Sequence, residues 1–392
     1  MRIAMLGPFG FHPKKTMRAR AFRLARALVQ RDHHVHLLMP PWHTPQKANT
    51  SWTEDGVDIR YVPLGGGHAA ITRRLVAETL ALEPDVVHCF KPKAYSGLAA
   101  WWLWQFHRRR LPLFVDSDDW EGWGGWNELE NYSPLQKRFF AWQEQWGMRH
   151  CHVLTVASRA LETLAWGQGV SPHKVHYLPN GPGIEAGISK ETAARKRAEL
   201  GFAQRPVLLL YSRLFEFDTT RLVEVLSRVQ AECPDLALLS VGAGLFEEDA
   251  AELRNQLRAA GLLDAVADIG WATEADLPAL LASADVGLYL IDDTLLNRTK
   301  CPVKLADMLA LGLPVVAEAV GQVPEYVVHG ETGLLRATGD VAGLAQDLVH
   351  LLTEETLRER LGAAAQTRQR RRFSWATLAQ DLEKVYAKEV ER

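Results

Sequence analysis

Short aliphatic and β-branched runs alternate with longer amphipathic ones through the first half of the chain. Ile3–Leu6, His34–Met39, Val57–Val62, Asp85–His88, Leu111–Val115, Val153–Val156 and Val175–Leu178 have the length and residue type of buried strands. Between them, Thr16–Arg31 places Phe22, Leu24, Ala25 and Leu28 on one side and arginines on the other. Ala70–Ala81 and Tyr95–His107 also have helical spacing. Strands separated by helix-length segments predict a parallel sheet covered on both faces.

The pattern breaks at Asn180-Gly-Pro-Gly183, passes through a charged stretch and begins again. Pro206–Tyr211, Leu236–Val241, Val266–Ile269, Val286–Leu290 and Pro314–Ala317 read as strands. Thr220–Ala231 and Ala250–Ala260 read as helices, and Val341–Ala387 is helical. The expected fold class is therefore α/β, with two doubly wound, Rossmann-like domains. Residues 1–182 form the first, 183–203 a linker and 204–372 the second, with 373–392 a final helix returning to the first. Ligands of such folds bind at the carboxyl ends of the strands, so a cleft between two facing domains is the expected site.

Composition narrows this picture without redirecting it. A net charge of −2 over 392 residues supplies no global field for nucleic acid. The four cysteines are far apart and form no C-x-x-C pair, as expected of reduced cytosolic thiols. The first apolar run is too short for a signal peptide, and no stretch reaches the ~20 apolar residues of a membrane span. A cytoplasmic protein is expected. Ala99–Arg110, with three tryptophans and three terminal arginines, reads either as an interfacial helix or as an ordinary helix packed on the first sheet. The second reading is favoured, because the segment connects two strands.

The stretch most informative about chemistry is Asn297–Ala317. Pro302 stands where a helix would begin, Gly312 where it would end, and Pro314-Val-Val starts the next strand. A helix N-terminus at a strand's carboxyl end offers unpaired amides and a positive dipole, which suit a diphosphate. Lys304 and Asp307 share a face near that end. A lysine there meets phosphate oxygens, and a carboxylate accepts hydrogen bonds from ribose hydroxyls.

Residues 297–335 resemble the donor-binding signature of glycosyltransferase family 4, retaining enzymes of GT-B architecture. The likeness continues through Gly321-Gln-Val-Pro-Glu325 and His329-Gly-Glu-Thr-Gly-Leu-Leu335. Further pieces are Lys174–Gly181, Asp268-Ile-Gly-Trp-Ala-Thr273 and Phe373-Ser-Trp375. The resemblance implies a metal-independent retaining transferase acting on a nucleotide-diphosphate sugar, with UDP the commonest base. The nucleotide sugar is then a substrate, and no cofactor is expected. The acceptor is a carbohydrate, a lipid-linked molecule or a small molecule. Arg213, Gly270, Trp271, Thr299, Lys300, Val303, Lys304 and Asp307 fall at donor-binding positions. Two departures stand out: Thr299 replaces the first of the family's two spaced glutamates, and Asp218 replaces a phosphate-binding lysine. Lys304 is the candidate replacement cation.

In the first domain the resemblance puts the loop 7–15 at the site, with Gly10 against the sugar or diphosphate and His12 near the sugar. Lys14 and Lys15 are lesser phosphate candidates. After the strand Leu111–Val115, the loop 116–126 holds four acids and three tryptophans. Tryptophan faces stack on sugar rings and carboxylates accept sugar hydroxyls, which makes Asp116, Asp119 and Trp120 candidate sugar contacts. Asp118 stands where many relatives carry a histidine near the reacting carbon. The competing reading is an acidic turn with buried tryptophans. The same Asp-Ser-Asp also resembles the metal-binding D-x-D of GT-A enzymes. Another GT-B activity, a sugar phosphorylase or nucleotide-sugar epimerase, and a degenerate nucleotide-sugar-binding subunit remain as alternatives.

Overall fold

The structure is a computed structural model that describes residues 1–13, 15–184, 187–244 and 247–392; Lys14 lies outside the described residues. The chain divides into two compact units. The first comprises 1–180, 299–301 and 375–392, and the second 181–298 and 302–374.

The first unit is built on eight strands: β1 (Arg2–Leu6), β2 (His34–Met39), β3 (Thr50–Glu54), β4 (Val57–Tyr61), β5 (Val86–Phe90), β6 (Leu113–Ser117), β7 (Val153–Val156) and β8 (Val175–Tyr177). Their order is β3-β4-β2-β1-β5-β6-β7-β8, parallel except for the β3–β4 hairpin. Ile3 lies between Val35 and Val86, so the strand order runs outward from β1 on both sides and changes sense between β1 and β5. That reversal is a topological switch point, and the loops after β1 and β5 open onto it. The last helix, Trp375–Val390, spaces Leu378, Leu382 and Tyr386 four apart. All three are buried in the first unit's core with Ile3, Leu24, Leu28 and Val35. Burial of one such aliphatic side chain stabilises by roughly 1.5–3 kcal/mol, and the Tyr386 hydroxyl is matched to His88 Nδ1 at 2.6 Å.

The second unit holds β9 (Val207–Tyr211), β10 (Ala237–Val241), β11 (Val266–Asp268), β12 (Val286–Tyr289), β13 (Val315–Glu318) and β14 (Leu334–Arg336). The order β11-β10-β9-β12-β13-β14 is parallel throughout and reverses between β9 and β12. On the helix Thr219–Glu232, Leu222, Val225, Leu226 and Val229 form one apolar stripe buried against the sheet. Most of the segment expected as a linker has structure of its own. Ser189 caps the helix Lys190–Glu199, and Arg197 binds both oxygens of Asp285 at 2.8 Å. Both residues belong to the second unit.

Candidate functional site

At the second unit's switch point, the carboxyl ends of β9 and β12 enclose a small cavity lined by Tyr211, Ser212, Glu216, Tyr289 and Lys304. The helix Val303–Ala310 starts beside it, entered through the extended backbone of Pro302 and left through Gly312 at φ +76°. Lys304, one residue into that helix, carries its ammonium to 4.6 Å from the Tyr211 ring centroid. Gly242, after β10, lets it in: a Cβ there would stand 3.1 Å from Lys304 Nζ, and the backbone at φ +80° favours glycine in any case. The Gly242 amide donates to the Gly270 carbonyl at 2.6 Å, which brings the loop after β11 to the same place. Arg213 reaches Glu216 Oε1 at 3.0 Å. Asn297 ties this corner together by donating from Nδ2 to the carbonyls of Glu216 and Asp292.

The predicted donor residues are thus only partly gathered. Arg213, Gly270, Val303 and Lys304 converge on the ends of β9, β10 and β12, while Trp271 beside them is exposed. Asp307 is buried on the same helix, its Oδ1 accepting the amides of Gly183 and Ile184. Thr299 and Lys300 group with the first unit. There the Thr299 carbonyl accepts from Ser158 Oγ at 2.7 Å, and the Lys300 ammonium lies 5.1 Å from the Trp126 ring. Asp218, at the position of the missing lysine, caps the helix Thr219–Glu232 by accepting from the Thr220 amide.

In the first unit the acidic loop divides into two environments. Asp116 faces inward and is fully buried. Arg20 binds its two oxygens at 2.8 and 2.6 Å, and Thr155 Oγ1 donates to Oδ2. Arg20 also donates to Asn180 Oδ1 and the Leu178 carbonyl, so this pair locks β6 to the end of the first unit's sheet. The structure therefore places Asp116 in the core and not at a surface where a sugar would reach it. Trp120 is likewise buried, its ring over Gly122 and Gly125, where a Cβ would approach the ring to 2.2 and 2.6 Å. Gly10 is pressed against Tyr61, whose hydroxyl would lie 2.9 Å from a Cβ, and His12 is exposed.

Asp118 and Asp119 turn the other way, toward a buried cation. Lys91 Nζ lies 3.2 Å from Asp118 Oδ1, 3.4 Å from Asp119 Oδ2 and 2.9 Å from Glu121 Oε1. Lys93 completes the cluster, bonded to Glu121 Oε2 at 2.6 Å and Asn127 Oδ1 at 2.7 Å. Glu144 enters from the helix Pro134–Arg149, its Oε1 accepting from Ser117 Oγ at 2.6 Å. Four carboxyls thus surround two ammonium groups, and their proton affinities diverge. Burial pushes Asp118 up to about 7, against the opposing charge of Lys91. Burial also pushes Glu144 up to about 8. Glu121 is equally buried, but Lys91 and Lys93 together hold it down at about 2. Two carboxyls of one cluster therefore titrate near neutrality, where acid–base chemistry at a hydroxyl is most effective.

Lys91, Lys93, Glu121 and Glu144 are not among the residues predicted for the site. Two signals were present in the sequence. Lys91-Pro-Lys93 directly follows β5 at a switch point, and Ser133-Pro-Leu-Gln136 is the capping box that starts the helix carrying Glu144.

Comparison with known proteins bears on the family and the fold. Residues 15–181 match the glycosyl transferase 4-like domain and residues 205–354 the glycosyl transferases group 1 domain. The phosphatidyl-myo-inositol mannosyltransferase of Mycobacterium leprae is 26% identical over 98% of this chain and 96% of its own. The glycogen synthase of Mycobacterium tuberculosis is 27% identical over 86% and 78%. Among solved structures, HepE of Anabaena in complex with UDP and glucose superimposes with a TM-score of 0.72 at 20% identity, covering 99% of this chain and 100% of that one. Sucrose-phosphate synthase of Thermosynechococcus elongatus gives 0.73 at 19%, covering 100% and 99%. The chain belongs to glycosyltransferase family 4 and is an enzyme of GT-B fold.

Proposed function

We propose that the enzyme moves a sugar, with retention of anomeric configuration and without a metal ion, from a UDP-sugar to a hydroxyl acceptor. The observation that carries this reading is that Lys304, at the start of the helix Val303–Ala310, lines the cavity at the ends of β9 and β12 together with Glu216, which holds Arg213 beside it. Two cations and a helix N-terminus there suit the two phosphates of the donor. The same groups stabilise the negative charge that grows on the departing diphosphate, commonly the largest catalytic contribution. Gly270 and Trp271 border the place for the base, and Asp307 is assigned to the ribose. UDP is favoured because HepE, of the same fold, was crystallised with it.

On the first unit, Asp118 is assigned to the acceptor. A carboxyl held at about 7 by burial takes up a hydroxyl proton at neutral pH more readily than an ordinary aspartate. Asp119 shares Lys91 with it and is half-exposed, which suits it to a sugar hydroxyl. The D-x-D reading has less support, since Asp116 is paired with Arg20 and Asp118 with Lys91. A panel of UDP-, GDP- and ADP-sugars tests the proposal. It is scored by donor turnover with and without EDTA, and by NMR of the product's anomeric proton. UDP-sugar turnover that survives EDTA and gives the donor's own anomer is expected. Activity abolished by EDTA and restored by manganese contradicts metal independence.

A further inference from the structure

The helix Pro134–Arg149 has two unlike faces. Ala141, Glu144, Gly147 and Met148 point inward, with Glu144 in the charged cluster and Gly147 against Pro92. Leu135, Phe139, Trp142 and Trp146 follow steps of four, three and four and so share the outer face. That face is where a helix on a protein surface normally carries polar residues. Here it carries a run of rings: Phe139 stacks on Trp142 at 5.8 Å, Trp142 lies 6.1 Å from Trp146, and Trp146 stacks on His150 at 4.3 Å. Leu135 is 78% exposed.

The helix Ala94–His107 packs beside it and extends the same surface. Trp104 meets His150 at 6.1 Å, and Trp101 and Phe106 lie edge to face at 6.4 Å, Phe106 being 66% exposed. The two helices bring mostly cationic side chains to this aromatic surface, while the exposed Glu128 beside them is paired with Lys137 at 3.7 Å. Arg108, Arg109 and Arg110 follow the first helix in a turn, and Arg138 and Arg149 are exposed on the second. Across residues 94–110 and 134–149 the only acidic residue is Glu144, which is buried.

We propose that these two helices form a docking face for an anionic membrane surface. The rings lie at headgroup depth and the arginines sit on lipid phosphates. Two features choose this occupant. Tryptophan-rich stripes bordered by arginine match the amphipathic boundary of a bilayer, where one end of the ring is wet and the other apolar. A second copy of the chain fits worse, because a twofold contact brings the same five arginines into one interface and the neighbouring exposed acid, Glu128, is already paired with Lys137. The docking lies in the membrane plane, since no helix among the described residues is long and apolar enough to cross. It extends to the acceptor-side cluster, because the helix that presents Trp142 outward also carries Glu144 inward. The helix Ala94–His107 does pack on the first sheet through Tyr95, Ala99, Ala100 and Leu103, as the sequence reading favoured, and the docking adds a role for its outer face. The docking stands apart from the donor assignment, because it requires no turnover.

The experiment is flotation of the full-length chain with vesicles of phosphatidylcholine alone and of phosphatidylcholine mixed with phosphatidylglycerol, at low and high salt. Binding is expected only to the mixed vesicles and is expected to weaken with salt. Phe139→Ser with Trp142→Ser, and separately Arg109→Glu with Arg110→Glu, are each expected to lower partitioning roughly tenfold or more. These exposed substitutions are expected to leave the thermal midpoint and UDP-induced stabilisation at their original values. The proposal is overturned if the unaltered chain stays unbound on the mixed vesicles, or if both variants float as it does. It is equally overturned if sedimentation velocity shows a dimer that the same substitutions disperse.

Discussion

The Lys304 ammonium stands 4.6 Å from the centre of the Tyr211 ring and directly beside Gly242, where a single added carbon would meet it at 3.1 Å. The ring face attracts the cation and fixes where it points, an effect worth roughly 0.5–2 kcal/mol. Gly242 leaves the space in which it stands. Its positive φ adds a second constraint, since alanine there is strained by about 1 kcal/mol. Gly242→Ala is therefore expected to lower stability by about that amount and to displace Lys304. Calorimetry should show UDP affinity falling by roughly tenfold or more while the variant remains folded.

The Arg20–Asp116 pair is the first unit's most deeply buried ion pair among the described residues, with side chains 2% and 0% exposed. Asp116→Ala strands the guanidinium and is expected to cost about 3–5 kcal/mol, read as a large drop in denaturant midpoint. Burial alone would raise the Asp116 carboxyl, but the Arg20 charge and its hydrogen bonds outweigh that and hold it below 3.8. Its contribution is therefore fully present above the ordinary aspartate pKa. It is lost as the pH falls from there through the lowered folded value, so chemical denaturation at mildly acidic and strongly acidic pH should show the loss.

Glu144 has the opposite sign. Its folded pKa is raised to about 8 by burial, so the folded state holds a proton that the unfolded chain releases above the ordinary value of 4.5. Stability from this group is present below 4.5 and declines as the pH rises toward 8. Glu144→Gln keeps the acceptor for Ser117 and mimics the protonated acid. It is expected to be more stable than the parent at pH 8 to 9, on the order of 1.4 kcal/mol for each pH unit by which the folded value lies above 4.5, with the difference fading below pH 5. A thermal-melt series across that range checks it.

Asp307 separates two roles. Its Oδ1 accepts from the amides of Gly183 and Ile184, so Asp307→Ala leaves two backbone donors unmatched. A loss of roughly 1–3 kcal/mol is expected. Asp307→Asn retains an acceptor and is expected to hold most of that stability, while UDP affinity falls through weaker contact with the ribose. Equal UDP affinity in Asp307→Asn would remove the ribose assignment.

The parallel strands were legible because fully buried strands must be continuous aliphatic runs. His34–Met39 and Val153–Val156 fall where the sequence predicts them, and others shift by one to two residues. Strand β3 escaped because Thr50–Glu54 lies at the sheet edge and is mostly polar. The Asp55-Gly56 turn that creates its hairpin was nevertheless present in the sequence, both residues having positive φ. Val341–Ala387 reads as one helical stretch but is three helices, interrupted at Glu354 and Phe373. In the site, Lys304 was legible because helix punctuation by Pro302 and Gly312 fixes its place. The inward turn of Asp116 was not, because strand alternation depends on where β6 ends: it runs to Ser117, two residues beyond the aliphatic run. Nor was the Lys91 cluster, since its members come from three separate segments that only the sheet order brings together.

Calorimetric titration of UDP into the parent chain and into Lys304→Ala, with circular dichroism to verify folding, tests the diphosphate site at its cation. The diphosphate assignment predicts saturable binding by the parent and an affinity at least tenfold weaker in the variant, the scale of one charge-assisted contact to phosphate. Indistinguishable affinities in two equally folded proteins would contradict it.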